Sequence, residues 1–511
     1  MRLIRILLLA LTFCLLAAAS AAAQPVLVLH GGKVRRADDR ALPAADLPAP
    51  PRPPGTARRA KPAPAPAGPT FKKAVADLLA GGTIDQLSYD RARRAYDGAK
   101  RSWKKLAAGT RKTELRAVID NADGIARRGF VIPSRLNAMT LTLERNRQWW
   151  TTGTIPRVGQ RIEFDGSELI WQYYAGQGIE LQMLGNFGKA NGFWQAKDDD
   201  GLRTLLDELL PLASDRGGVV TWEYYFEFGG GEPPWSSGLS QATALQALAR
   251  AADRLGVPGY RDVAQRGLGL FELAPPDGVR VDGSAGVGPH YLIYTFAPDL
   301  RVINAFLQSI IGLYDYSQLT GDPRAQALYT SGEAEARAEV PSYNTGSWSL
   351  YSPDRESDLS YHKLVRDFLN RLCDRTGQEV YCSTGQAFTD QLKIAPTVKP
   401  LTRRIRAGEP AKLEFQLSKI SRVGVTVLDA NGRTVFATSA VAGYGRRFYA
   451  WSRPPAAAGQ YTLRVSATDL AGNHGQTAEG PLRVLAPRRK HGDTAPPPSD
   501  PTTPLPPQQR R

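Results

Sequence analysis

The chain has 511 residues, a formal net charge of +16 and 38 prolines. The length predicts two or three domains with a large core, and the many prolines indicate that part of the chain lies outside any packed core. Three cysteines and five histidines without ligand spacing argue against a metal site. With no nucleotide-binding glycine motif, we expect neither a metal nor a cofactor.

The first residues have the pattern of a secretory signal peptide. Two arginines precede an apolar run over residues 6–19, and small residues lead to a predicted cleavage site after Ala23. The run is short for a membrane span, and no later stretch reaches the roughly 18 apolar residues that a span needs. We therefore expect signal peptide 1–23 and a secreted or cell-surface protein, which argues against nucleic acid as a partner.

Proline, alanine and arginine dominate residues 24–70, which predicts an extended, disordered linker. Residues 488–511 are predicted to form a second disordered tail, also basic and proline-rich. The signal peptide and these two segments hold most of the positive charge, which leaves +6 for residues 71–485. The basic segments could tether the protein to an anionic cell wall, and the other interpretation is that they are solvated linkers.

Residues 71–395 follow a helical period, with apolar residues three and four positions apart. The apolar faces over 202–210 and 303–314 are clear examples. Loops rich in glycine, proline and aromatic residues separate the helices. This pattern predicts a mainly α domain of antiparallel helix pairs, an α/α toroid or incomplete barrel. Two short β insertions, at 161–164 and 219–228, interrupt it.

Residues 396–487 change to the alternating period of strands. Valines alternate over 423–427, and Asn431-Gly432 is a hairpin-turn signal between apolar runs. About seven short strands fit an immunoglobulin-like β-sandwich. Residues 459–465 (GQYTLRV) and 469–473 (DLAGN) resemble the immunoglobulin-like modules that end many secreted bacterial enzymes. We expect a spacer or sugar-binding module here, without catalysis.

Two cysteines remain after removal of the signal peptide. Cys373 and Cys382 bound a short segment, and in an oxidising compartment this predicts an intramolecular disulfide. The alternative is a pair of free thiols too far apart to bridge.

Aromatic residues cluster in three loops of the helical region, over 224–235, 290–294 and 341–362. Tryptophan and tyrosine rings suit the faces of sugars, and carboxylates suit hydroxyl groups or proton transfer. The candidate side chains of the first two loops are Tyr225, Glu232, Trp235 and Tyr291. A single tyrosine is more often a packing residue, so the hypothesis of a carbohydrate site rests on their concentration in loops.

Four segments resemble the D-glucuronyl C5-epimerase family, in the order found in that family. They are 231–250 (GEPPWSSGLSQATALQALAR), 304–315 (NAFLQSIIGLYD), 343–347 (YNTGS) and Tyr361-His362. The resemblance covers roughly residues 150–395. It implies a carbohydrate epimerase that inverts C5 of D-glucuronate residues in a polymer such as the heparan precursor, giving L-iduronate.

The resemblance also implies site residues. The catalytic tyrosines of the family fall on Tyr294, Tyr351 and Tyr361. Inversion needs a base on one face of the sugar ring and an acid on the other. It also needs a group that stabilises the charge developing on the carboxylate. His362 and Arg301 are the candidate partners of that carboxylate.

The chain departs from the animal enzymes directly before the first tyrosine, where they carry glutamate and this chain has Ile293. The spacing from Tyr351 to Tyr361 is also shorter. The identity of the base therefore stays open between Glu232 and Tyr361.

Three alternative functions remain for the same acidic polysaccharide partner. A uronate lyase would remove the same C5 proton and expel the substituent at C4. A glycoside hydrolase would need two opposed carboxylates, and no motif pairs them. The third alternative is a non-catalytic glycan-binding protein of the cell surface.

Overall fold

The structure is a computed structural model, and it describes residues 24–42, 68–454 and 457–487. The predicted signal peptide and the predicted C-terminal tail lie outside the described residues. Within the described part of the chain, no helix combines the length and the apolar character needed to cross a bilayer.

The chain divides into two compact units, residues 1–391 and residues 392–511. The division falls a few residues before the change of period predicted after residue 395.

The first unit begins with a β-hairpin, β1 (Gln24–His30) and β2 (Lys33–Asp39). The prediction of a disordered linker is therefore wrong for these residues, whereas residues 43–67 lie outside the described part. The hairpin is ordered because Val26 and Val28 are buried and because Lys189, itself buried, forms an ion pair with Asp39 at 2.9 Å. Apart from Pro25 in β1, the prolines of this segment follow the hairpin.

The hairpin extends a five-stranded sheet in the order β2-β1-β3-β4-β5. The other strands are β3 (Arg161–Phe164), β4 (Trp171–Tyr174) and β5 (Gly178–Leu181). Side chains alternate between the faces of a strand. Trp171 and Tyr173 accordingly lie in the core, while Gln172 and Tyr174 face the other side and line a cleft.

Four helices follow the hairpin in sequence: α1 (Phe71–Ala80), α2 (Gln86–Lys105), α3 (Thr110–Arg127) and α4 (Pro133–Thr152). Of these, α3 and α4 contact β5 of the sheet. Asp85 caps α2 by accepting a hydrogen bond from the Ser88 amide at 2.8 Å, which is a common helix start. From α3, the buried carboxylate of Glu114 accepts hydrogen bonds from the amides of Gly176 and Gly178, both at 2.9 Å. This contact fixes the turn between β4 and β5.

The remaining helices of the unit are α5 (Met183–Ala196), α6 (Asp199–Leu209), α7 (Gly238–Leu255), α8 (Pro258–Gly267), α9 (Ile303–Thr320), α10 (Pro323–Glu339), α11 (Leu359–Thr376) and α12 (Glu379–Gln391). The short strands between them are β6 (Ser214–Arg216), β7 (Val219–Thr221), β8 (Arg280–Asp282), β9 (Pro289–Tyr291), β10 (Leu350–Ser352) and β11 (Arg355–Glu356). Helices α7 and α9 are buried along most of their length and form the centre of the unit. A disulfide joins Cys373 in α11 to Cys382 in α12.

The second unit is made of strands. They are β12 (Val398–Pro400), β13 (Arg404–Arg406), β14 (Ala411–Leu417), β15 (Ser421–Leu428), β16 (Thr434–Ala442), β17 (Gly445–Trp451), β18 (Gly459–Asp469) and β19 (Ala478–Leu485). They form a three-stranded sheet, β12-β14-β17, and a five-stranded sheet, β13-β19-β18-β15-β16. Alternation located these strands but did not determine how they are connected, so the predicted immunoglobulin-like sandwich is not supported.

The predicted fold class, a mainly α toroid with short β insertions, is wrong. The described residues hold twelve α-helices and nineteen strands in six sheets, so the fold is mixed. Of the large sheet in the first unit, the sequence analysis predicted β3, as the insertion at 161–164, and missed β4 and β5. A pattern of four residues is too short for alternation to stand out in every strand of this sheet. Its remaining strands lie in a segment that composition assigned to a linker.

Candidate active site

A small cleft of about 70 Å³ lies in the first unit. One side, called here the sheet wall, consists of Gln172 and Tyr174 from β4 and of Gln182, which follows β5. A second part of the lining, called here the loop wall, includes Trp235, Ile293, Tyr294 and Tyr361. The cleft therefore contains two of the three tyrosines predicted to be catalytic.

Hydrogen bonds hold the sheet wall in place. The side-chain nitrogen of Gln182 donates to the Tyr174 hydroxyl at 2.9 Å. The Tyr224 hydroxyl donates to the side-chain oxygen of Gln182 at 3.2 Å. The backbone amide of Leu184 donates in turn to the Tyr224 oxygen at 3.2 Å. Because the Tyr174 oxygen accepts the hydrogen bond from Gln182, the Tyr174 hydroxyl hydrogen is left to be donated to another group.

Aromatic packing holds the loop wall. Trp235 stacks on Tyr224 with 4.2 Å between ring centroids and meets Tyr294 edge to face at 5.3 Å. Tyr294 in turn stacks on Phe296 at 5.0 Å. The indole nitrogen of Trp235 donates to the Phe226 carbonyl at 2.8 Å. These contacts leave little rotational freedom, so the hydroxyl of Tyr294 is held in a fixed position.

The three predicted catalytic tyrosines lie together. The rings of Tyr351 and Tyr361 are 4.7 Å apart, and Tyr351 packs in a buried cluster with Tyr361 and Ile293, beside Tyr294. Burial raises the pKa of Tyr351 to about 12. Burial and the neighbouring tyrosines also raise the pKa of Tyr361 and of Tyr294 well above the ordinary value. At neutral pH these phenols are therefore proton and hydrogen-bond donors, not bases.

Glu232 does not share the cleft with the tyrosines. Its side chain is 69% exposed and forms an ion pair with Arg128 at 2.9 Å. Bridges between Tyr224 and Trp235 and between Phe228 and Gly231 fold the loop back on itself, and Trp235 turns inward while Glu232 turns out to solvent. Closeness in sequence to Trp235 was therefore a poor guide to the position of this carboxylate.

His362 is fully buried and has no face on the cleft. Its Nδ1 accepts a hydrogen bond from the Ser349 amide at 3.2 Å, and its Nε2 lies 3.0 Å from the Phe388 carbonyl. The ring also stacks on Trp348 at 3.7 Å. These contacts make His362 a packing residue that orients the start of α11, where Tyr361 lies, and not the predicted partner of a substrate carboxylate.

Tyr291 and Arg301 also lie away from the cleft. Tyr291 is buried in the core and its hydroxyl donates to the Leu328 carbonyl at 2.7 Å. The Arg301 guanidinium donates to the Asp282 carbonyl at 3.0 Å. Their predicted roles in binding substrate do not fit these positions.

Tyr225 is buried beside an ion-pair network. Arg135 contacts the fully buried carboxylate of Glu223 at 2.6 Å, and Arg216 contacts the same carboxylate at 2.7 Å. Burial and the charge of Glu223 raise the pKa of Tyr225 well above its ordinary value. Tyr225 therefore stabilises the base of its loop, whereas Tyr224, next to it in sequence, reaches the cleft.

Sequence reasoning missed the whole sheet wall. The signal was present in residues 171–174 (WQYY), where bulky core residues alternate with Gln172 and Tyr174. In the described part of the chain, no group of three or more His, Cys, Asp or Glu residues is placed to hold a metal ion.

Residues 216–390 match the model of the family described as D-glucuronyl C5-epimerase C-terminus. The chain is 32% identical over 163 residues to the D-glucuronyl C5-epimerase of Caenorhabditis elegans, covering 28% of this chain and 26% of that protein. These matches support the D-glucuronyl C5-epimerase family. They agree with the family inferred from the four motifs, and they support an epimerase-type function for this segment.

A second relative is an uncharacterized protein of Methanocaldococcus jannaschii, 26% identical over 171 residues, which are 32% of this chain and 54% of that protein. The chain thus spans about a quarter and about half of the lengths of these two relatives. The loop wall lies inside the segment that matches the epimerase family, and the sheet wall precedes it.

Two solved structures share a remote likeness. A D-mannose isomerase aligns with a TM-score of 0.31 and 14% identity over 42% of this chain and 60% of that chain. The endo-β-1,4-glucanase CMCax of Acetobacter xylinum aligns with a TM-score of 0.27 and 14% identity, over 36% and 56%. Scores this low support no conclusion about fold or function.

Proposed function

We propose that this protein is a carbohydrate epimerase that inverts C5 of D-glucuronate residues in an acidic polysaccharide. The observation that carries the proposal is the cleft itself, which Tyr294 and Tyr361 of the loop wall line together with Tyr174 of the sheet wall. A reaction that removes a proton from one face of a ring and returns one to the other face needs groups on two sides.

The chemistry fits protonated tyrosines. The proton at C5 is acidic because the adjacent carboxylate can take up the electron pair of the broken C–H bond. Phenol groups that stay protonated can donate hydrogen bonds to the charge that develops there, and a buried cleft strengthens such bonds. The raised pKa values of Tyr361 and Tyr294 support this role.

The charge of the first unit is unevenly distributed. Residues 71–152, which contain α1 to α4, have 17 Lys and Arg against 8 Asp and Glu, a net charge of +9. Residues 153–391, which contain the cleft, have 19 against 31, a net charge of −12. Long-range attraction of an acidic polymer must therefore come from α1 to α4 within this unit.

The proposal includes a location outside the cytoplasm, at the cell surface or secreted. The signal-peptide pattern of residues 1–23 supports it, as does the disulfide between Cys373 and Cys382, because such bonds persist in oxidising compartments.

The test is NMR spectroscopy of glucuronate polymers incubated with the protein in deuterated water. We expect deuterium to enter C5 and iduronate signals to appear without chain cleavage. An unsaturated uronate chromophore would instead identify a lyase. Binding of the polymer without exchange at C5 would identify a glycan-binding protein and overturn the proposal.

A further inference from the structure

The proposed reaction needs a proton acceptor. Burial keeps Tyr294 and Tyr361 protonated, and among the described residues that line the cleft none carries a carboxylate. A carboxylate acceptor would therefore have to lie outside the residues that line the cleft.

Glu180 lies behind the sheet wall. In β5 it is the pairing partner of Gln172 in β4, so the two side chains share a face of the sheet. Gln182, two residues further along, is on the same side and also lines the cleft. Strand alternation thus directs Glu180 toward the cleft, although it is only 2% exposed.

The carboxyl group of Glu180 lacks the support that other buried carboxylates of this unit receive. Its Oε1 atom is buried with no hydrogen-bond partner among the described residues. By contrast, the buried carboxylate of Glu335 accepts hydrogen bonds from the amides of Ala285, Val287 and Gly288. An unsupported buried carboxyl group is costly, and groups of this kind concentrate at functional sites. Burial raises the pKa of Glu180 well above its ordinary value.

Tyr174 lines the cleft and is a neighbour of Glu180 in the sheet. It is the diagonal neighbour of Glu180 across the two strands, because its own pairing partner is Gly178. The charge of Glu180 contributes, after burial and Tyr224, to the raised pKa of the Tyr174 hydroxyl. That hydroxyl accepts from Gln182 at 2.9 Å and so keeps its own proton to donate.

The other charged groups around Glu180 are few. Arg161 in β3 pairs with Gln172 in register and lowers the pKa of Tyr174. On the opposite face of the sheet, Glu114 of α3 binds the turn between β4 and β5.

We propose that Glu180 is the proton acceptor of the sheet wall and acts through Tyr174. The inference rests on the proposed epimerase function. As the C5–H bond breaks, its proton passes to the Tyr174 oxygen, while the Tyr174 hydroxyl proton passes to the Glu180 carboxylate. The electron pair moves onto the uronate carboxylate, and a phenol of the loop wall protonates C5 from the other side. Glu180 then returns its proton to solvent, and solvent water reprotonates that phenol.

The test compares Glu180→Gln with the wild type in the deuterium-exchange assay, over a range of pH. In the wild type, exchange should rise with pH through the ionisation of Glu180. The glutamine keeps the shape and the neutral state but cannot accept a proton, so we expect exchange to fall about 100-fold or more and the acidic limb of the profile to vanish. Glu180→Asp should keep that limb with a smaller loss. Glu144→Gln, at an exposed ion pair with Arg91, is the matched control.

The outcomes separate the inference from the function on which it rests. If Glu180→Gln exchanges like the wild type with an unchanged pH profile, Glu180 only packs and the inference is overturned, while the epimerase function stands. If the wild-type protein catalyses C5 exchange in none of the uronate polymers, both the inference and the proposed function are overturned. If Glu180→Gln fails to fold, the comparison moves to Glu180→Asp, and C5 exchange at the wild-type rate in that variant overturns the inference.

Discussion

The sheet wall and the loop wall enclose the same cleft but are built in different ways. Hydrogen bonds through Gln182 fix the sheet wall, whereas stacked rings around Trp235 and Tyr294 fix the loop wall. The loop wall lies within the segment that matches the epimerase family, residues 216–390, and the sheet wall does not. The family model therefore covers only one of the two walls that line this cleft.

The loop wall should show the largest effect on catalysis. Tyr361→Phe removes a proton donor and leaves the ring stacked against Tyr351, so we expect C5 exchange to fall about 100- to 1000-fold with little change in thermal unfolding. Tyr89→Phe, on the surface of α2, is the matched control. C5 exchange by Tyr361→Phe at the wild-type rate would contradict the role of the loop wall as proton donor.

The sheet wall should show the largest effect on stability. Glu114→Ala removes the acceptor for the amides of Gly176 and Gly178 and for the Tyr173 hydroxyl. We expect the free energy of unfolding to fall by about 3 kcal/mol, because buried donors lose their partner. Urea denaturation measures this change. An unaltered midpoint would show that the turn between β4 and β5 is held by other contacts.

A change within the sheet wall should have a moderate effect on activity. Gln182→Leu cuts the hydrogen bonds to Tyr174 and Tyr224 while retaining much of the side-chain volume. We expect exchange to fall about tenfold as Tyr174 loses its orientation. Gln172→Leu is the control, because it removes a polar side chain from the cleft without breaking a hydrogen bond to either tyrosine. Equal losses of C5 exchange in the two variants would contradict the role given to Gln182.

The smallest expected effect lies outside both walls. If α1 to α4 attract the polymer, then Lys104→Ala combined with Lys105→Ala should raise KM about two- to threefold at low salt and leave kcat unchanged. Added salt should reduce the difference because it screens exposed charges. A change in kcat instead of KM would show that these lysines affect the reaction itself, contrary to a role in attracting the polymer.

Sequence reasoning succeeded where one pattern ran over many residues. The long apolar faces predicted helices at α6 and α9, and alternation with Asn431-Gly432 predicted the strands of the second unit. It failed for strands of four residues, such as β4, where the pattern is too short to be read.

Side-chain direction was the second source of error. Glu232 and Trp235 are three residues apart, yet one faces solvent and the other the cleft. Tyr361 and His362 are adjacent, yet only the tyrosine lines the cleft. The motifs therefore identified the right loops, whereas local turn geometry determines which residues of each motif line the cleft.

The parallel pairing of β1 with β3 has a consequence for how the cleft forms. Val26 pairs with Arg161, a separation of 135 residues that spans α1 to α4. Contacts between neighbouring helices close short loops and form early, whereas a pairing over such a distance carries a larger entropy cost and forms late. The helices of the first unit and the β4–β5 hairpin, which pairs locally and carries Gln172 and Tyr174, should therefore form before β1 joins the sheet beside β3.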